Sequence, residues 1–179
     1  MKRPILPILN FDLVLTRAIA REAPLPVTKV ALALGWLCDA RILLSSGALW
    51  FLTSPPHTAE RQHATRFLSM IATTTILHHA AKRVIAQKRP DRVMSARQTT
   101  GRASDAMPSG HAMHAGAVAS FLTGWVNTPA ALWPTFIGLA AARIVVLAHW
   151  PSGVLAGFLG GVLVERSTRL VRCFRPRKP

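Results

Sequence analysis

The chain has 179 residues, half of them hydrophobic, and carries 22 Lys and Arg against 7 Asp and Glu, a formal charge of +15. That length is most simply one domain with its own core, and so much apolar content excludes a disordered chain. Its two cysteines, Cys38 in an apolar run and Cys173 in a basic tail, resemble neither a disulfide framework nor a metal site, while the charge points to phosphate groups in nucleic acid, lipid headgroups or a substrate.

Met1-Lys2-Arg3 is a basic start, but Asp12 and Arg17 interrupt the apolar stretch that follows and no small-residue cleavage site is evident, so a signal peptide is not predicted. Leu9 to Arg21 reads as an amphipathic helix on a surface. Val30 to Thr53 is apolar at both ends and broken by Cys38-Asp39-Ala40-Arg41, which divides a surface segment from a short span beginning at Ile42. Ser54-Pro55-Pro56-His57 ends that run. Glu60, Arg61 and Arg66 mark a polar turn before the second run, Phe67 to Ala86. The longest polar segment, Gln87 to Met107, follows; such loops inside compact helical proteins are usually functional. The third run is Ala112 to Val126, the fourth Ala130 to Trp150 with the single charge Arg143, and the fifth Val154 to Val164. A basic tail closes the chain.

No stretch alternates with the period of a sheet, so the predicted fold class is all-α, an integral-membrane helical bundle of about five spans with an N-terminal amphipathic helix. The expected organisation is a single domain over 1–179: an amphipathic lead-in at 1–28, a helical core at 29–165 and a basic cytoplasmic tail at 166–179. A clean span needs about 20 apolar residues, which the runs reach only by including a charge or not at all. Trp50, Trp125 and Trp150 at run ends, the small residues Ala156-Gly157 and Gly160-Gly161, and the terminal arginines favour a membrane nonetheless. Keeping the tail cytoplasmic places the Lys82–Met107 loop and the Trp150-Pro151 turn together on the outer face, with the N-terminus outside as well. Cations on that outer loop run against the positive-inside tendency, which suits residues retained for binding.

Three basic clusters then meet at one face: Lys82 with Arg89, Ser109-Gly110-His111, and Arg143 with His149. Met107-Pro108-Ser109-Gly110-His111 opens a helix whose unpaired amides and dipole suit an anion. Arg143 within an apolar helix needs a partner or a purpose. Two arginines, a lysine, a hydroxyl and helix-start amides fit a tetrahedral phosphate; of two histidines, one can attack phosphorus and the other protonate the leaving oxygen. No metal-ligand spacing appears, so the cations take the charge-stabilising role and no cofactor or metal is expected. His78, His79 and His114 read as structural or surface residues, with His114 one turn from His111 and open to the same pocket.

Lys82-x6-Arg89-Pro90, then Pro108-Ser109-Gly110-His111, then Arg143-x5-His149 closely resembles the three-part signature of the type-2 phosphatidic acid phosphatase superfamily, over roughly residues 64 to 164. The apolar runs resemble its integral-membrane lipid phosphatase branch. The resemblance implies metal-independent dephosphorylation through a phosphohistidine. His149 would be the nucleophile and His111 the acid and then base; Lys82, Arg89, Arg143, Ser109 and the Gly110 amide would hold the phosphoryl oxygens. It also implies a phospholipid or polyprenyl (di)phosphate substrate, a bacterial-type inner membrane with the site on the periplasmic face, and no nucleic-acid partner.

The chain departs from the family pattern in two places. Ala142 stands where the third motif usually has Ser. Gly153 stands where an aspartate usually orients the nucleophile, a role like that of the triad aspartate. Ser152, a backbone carbonyl, a water, or one of Asp39, Asp91 and Asp105 are the available substitutes. Besides a lipid phosphatase, two other classes are therefore open: a catalytically impaired relative that binds phospholipid headgroups, and a soluble basic helical protein that binds nucleic acid, which rests on charge alone.

Overall fold

The computed structural model describes residues 6–94, 103–124 and 129–173, with the side chains of 129, 130 and 171–173 set aside. Eight helices account for most of these residues: α1 Asn10–Glu22, α2 Leu25–Gly35, α3 Ala40–Thr53, α4 Ala59–Val84, α5 Pro90–Val93, α6 Gly110–Thr123, α7 Pro129–Val145 and α8 Pro151–Cys173. Among the described residues there is no strand beyond one isolated parallel bridge between Gln87 and Asp105.

The break expected at Cys38–Arg41 has a local cause. A 3-10 turn at Trp36–Cys38 follows α2, and Asp39 caps α3 by accepting from Arg41 N at 2.9 Å, so the helix starts at Ala40 rather than Ile42. Thr58 likewise caps α4, which takes in Glu60, Arg61 and Arg66 as helix rather than turn. The fourth run stops being helical at Val145, and Trp150 is fully buried, donating to Lys88 O at 2.6 Å, instead of sitting in an interfacial belt. The fifth run is entered through Pro151 as the first helical residue. It does not end at Glu165: α8 continues to Cys173, and the described part of the expected tail is its last turns.

α6 lies at the centre, nearly all of it buried, between α4 and α8. Its pairing with α8 depends on glycine. A β-carbon on Gly116 would overlap the Phe158 carbonyl, and one on Gly161 the Met113 carbonyl. The small residues of the fifth run thus serve close helix contact, as their sequence suggests. α1 forms where an amphipathic helix is expected, but its inward strip includes the polar Asp12 and Thr16, both fully buried, while Phe11 and Val14 face outward.

No helix among the described residues is long and apolar enough to cross a membrane. The reason is visible in each: α3 and α6 have 14 residues, about 21 Å at 1.5 Å per residue against a hydrocarbon core of about 30 Å, and the longer α4 and α8 carry several charges. Cys38 is a buried free thiol; the Cys173 side chain, Trp125, Arg97 and Arg102 lie outside the described residues.

Candidate active site

The ends of α3, α4, α6 and α7 surround a cleft of about 260 Å³. Six of the seven residues singled out in the sequence line it: Lys82, Arg89, Gly110, His111, Arg143 and His149. Ser109 is placed behind it. Ser109 is fully buried and caps α6, with Ala112 N donating to its Oγ at 3.4 Å and its own N donating to Gly153 O at 3.0 Å.

The spacing Arg143-x5-His149 follows from how α7 ends. Leu147 N donates to Ile144 O at 2.9 Å and Ala148 N to Arg143 O at 3.1 Å, with Leu147 in the left-handed region at φ 55°. That is a Schellman turn with leucine where glycine is usual. The Arg143 carbonyl also accepts from His149 N at 3.2 Å, so the turn folds the histidine back over the arginine that begins it. The Arg143 side chain is buried; its Nε has no hydrogen-bond partner among the described residues, and its Nη1 lies over Gly35, where a β-carbon would come within 2.7 Å. A buried guanidinium with an unengaged donor, on the wall of a cleft, is suited to an anion.

Lys82 reaches the cleft from the last turn of α4. Arg89 is held differently: its Nε donates to Ala148 O at 2.9 Å, tying the polar segment to the turn that carries His149. Gly110 lies against His78, and a β-carbon there would approach the His78 ring at 2.9 Å.

His149 is buried, and its Nδ1 stands 2.7 Å from the main-chain oxygen of Ala106. A carbonyl only accepts, so Nδ1 carries the hydrogen and Nε2 keeps its lone pair. Burial first, then the nearby Lys82 ammonium, hold this imidazole well below its usual pKa, so it is neutral at pH 7. Of the substitutes for the missing aspartate, then, a backbone carbonyl occupies the place beside His149. Ser152 is engaged elsewhere, with its N and Oγ both donating to the carboxylate of Asp12.

The cleft also takes in residues beyond those seven: Asp39, Asp105 and His114, which the sequence connects with the site, and His78, His79 and Arg41, which it does not. Asp39 lines the cleft with its carboxylate 3.8 Å from His111 Nε2, so a carboxylate stands near the second histidine rather than the first. His78 and His79 line it as well, as does His114, whose Nδ1 faces Cys38 O at 3.1 Å. His78 and His79 precede Lys82 by four and three positions on one helix, a spacing that puts them on its face. Arg41 and Asp105 complete the rim. Among the described residues no group of three His, Cys, Asp or Glu is arranged to hold a metal ion.

A helical scaffold that buries two arginines and a neutral histidine around one small cleft is an arrangement chemically suited to a phosphate-like anion. The chain belongs to the PAP2 superfamily, whose family model matches residues 63–176. Among solved structures it is similar to LpxE from Aquifex aeolicus, with a TM-score of 0.76 at 17% identity over 93% of this chain and 99% of that one. It is also similar to a transmembrane PAP2-type phosphatidylglycerolphosphate phosphatase from Bacillus subtilis, with a TM-score of 0.65 at 16% identity over 93% of this chain and 87% of that one. At such identities the likeness is one of fold. Comparison of the sequence with curated proteins gives no significant match.

Proposed function

We propose that this protein is a metal-independent lipid phosphatase that hydrolyses a lipid phosphate or diphosphate at a membrane through a phosphohistidine on His149. The observation that carries the reading is the cleft itself: Lys82, Arg89 and Arg143 around His149, whose Nε2 is the nitrogen left for a ligand.

In this mechanism the three cations and the Gly110 amide bind the phosphoryl oxygens, where charge grows during in-line attack. Ser109 sets the helix start that aims that amide. The lone pair of His149 Nε2 forms the P–N bond as the bond from phosphorus to the leaving oxygen breaks. His111 gives its proton to that oxygen; burial and then the Arg143 charge hold its pKa down to about 4 against the pull of Asp39, so the ring takes up that proton as the phosphate anion binds. His111 then takes a proton from water, whose oxygen attacks phosphorus; the P–N bond breaks and inorganic phosphate leaves with His149 restored.

The membrane setting is supported by the outward apolar side chains of α1, α2 and the 3-10 turn after it, among them Phe11, Val14, Leu25, Val30 and Trp36, and by the likeness to a transmembrane phosphatase from Bacillus subtilis. We assign the site to the outer, periplasmic face of a bacterial-type inner membrane. Residues 6 and 7 hydrogen-bond to Ala86 and Gln87, which puts the described N-terminal segment at the same end as the cleft. The candidate substrates are phosphatidate, phosphatidylglycerol phosphate, a polyprenyl diphosphate and the phosphates of a glycolipid anchor.

The test is phosphate release from that panel in detergent with EDTA present. Release should persist in EDTA and fall by about 10³ or more in His149→Ala, as for loss of a covalent nucleophile. Release that stops on chelation sinks the metal-free mechanism. The second reading, a headgroup-binding relative without turnover, is favoured by the absence of an aspartate at Gly153; it predicts lipid phosphate binding with no release, unchanged in His149→Ala.

A further inference from the structure

We infer that this chain orients its nucleophile with the main-chain carbonyl of Ala106 in place of a carboxylate, and that Gly153 lacks a side chain because that carbonyl occupies the space. The inference rests on the reading of His149 as the nucleophile and deepens it.

The geometry is specific. Ala106 O is 2.7 Å from His149 Nδ1, and a β-carbon built on Gly153 would lie 2.7 Å from the same oxygen. A carboxylate growing from position 153 and the Ala106 carbonyl therefore compete for one volume. The carbonyl is held there by a closed set of bonds. Ala106 N donates to Gln87 O at 3.1 Å, and Gln87 N to Ser104 O at 3.1 Å. The next residues along, Lys88 and Arg89, are fixed to Trp150 and Ala148 on either side of the nucleophile. Beyond Ala106, Ser109 N donates to Gly153 O, locking the loop to the start of α8. The carbonyl is as rigidly placed as a side chain would be, and all its supports lie on segments that also carry cleft residues.

The chemical consequence differs from that of an aspartate. A carbonyl fixes the Nδ1–H tautomer and the ring plane, which is what an orienting acceptor must do. It is neutral, so it does not compensate the positive imidazole ring as a carboxylate does. Of the carboxylates at the cleft, Asp39 faces His111 and Asp105 acts on Lys82 and Arg89. Burial first, and then the neighbouring cations Lys82, Arg143 and Arg89, keep the ring neutral and nucleophilic until a phosphate anion enters.

Three measurements test this. Nitrogen-15 NMR of the histidine-labelled protein in detergent micelles should give the Nδ1–H tautomer for His149 at pH 7, assigned by its loss in His149→Ala; an Nε2–H tautomer overturns the inference. Replacing Met107 by its α-hydroxy acid turns the Ala106 carbonyl into a weaker ester acceptor. It should lower kcat about tenfold with KM unchanged and move the acid limb of kcat/KM to lower pH; an unchanged kcat and profile overturns the inference. Gly153→Asp should lower kcat at least tenfold, because its side chain displaces the carbonyl. Equal or higher kcat, with the acid limb moved to higher pH, would mean that the carboxylate orients the ring better and would overturn it. The NMR readout needs no turnover, so a failure of the phosphatase reading is distinguishable: release that survives His149→Ala removes the nucleophile while leaving the tautomer intact.

Discussion

Burying a histidine among cations has an energetic signature as well as a chemical one. The His149 pKa is depressed in the folded protein, so the unfolded chain binds a proton that the folded one refuses. The associated stability is present above the unfolded pKa of about 6.5 and is lost as pH falls below it, at up to about 1.4 kcal/mol per pH unit. Denaturant titrations between pH 7 and 5 should therefore show a decline that is shallower in His149→Asn by up to one proton's share, the remainder coming from His78, His111 and His114, whose pKa values burial also lowers. An equal slope in both would place the acid sensitivity elsewhere. At the same scale Arg143 explains why Gly35 is small. The guanidinium lies over that backbone, and an α2 residue bearing a side chain there would push it from the cleft.

At the scale of elements, the cleft end depends on two contacts outside the cleft itself. The α6–α8 interface closes backbone to backbone, and a methyl group on Gly161 has nowhere to go but into the Met113 carbonyl. Gly161→Ala should destabilise by about 1–3 kcal/mol, the usual range for overpacking, read from chemical denaturation in detergent. The second contact is the carboxylate of Asp12, which reaches from α1 to cap the first turn of α8 through Ser152 N and Oγ at 2.8 and 2.7 Å. A negative charge at a helix start, three residues beyond His149, both accepts from an amide and interacts favourably with the dipole. Asp12→Ala should cost about 1–2 kcal/mol and speed hydrogen exchange across residues 10–22. Unchanged exchange there would mean α1 is held by its apolar contacts instead.

Across the whole molecule the two ends are built differently. The cleft end gathers three cations around His149, whereas the far end sets a buried carboxylate between two of its arginines. Glu165, fully buried, accepts from Arg66 Nη2, from Arg169 Nη2 at 2.9 Å and from Ser120 Oγ at 2.7 Å, which joins α4, α6 and α8. Arg169 also donates to the Ser120 carbonyl at 3.0 Å. Removing one member of such a buried network leaves the others uncompensated, so Glu165→Ala should lose about 3–5 kcal/mol. The loss should appear in the denaturation midpoint, with the KM of whatever enzyme remains folded unchanged. A change in KM would show that the far end communicates with the cleft.

What the sequence determines by itself is local. The order of the three motifs is written in residue types, and Ser109 before Gly110 marks a helix start; the cap at Asp39 and the turn linking Arg143 to His149 are local as well, but the latter has Leu147 where a glycine would have marked it. The small residues of α8 announce close packing in the same way. What only the tertiary structure decides is which distant groups meet. The acceptor for His149 lies 43 positions away and is a main-chain carbonyl, a group every residue possesses and no residue type marks. Glu165 meets Arg66 across 99 positions and Asp12 meets Ser152 across 140. A charge is stable in the interior only when its partner arrives, and the arrival of that partner is a property of the folded chain rather than of its composition.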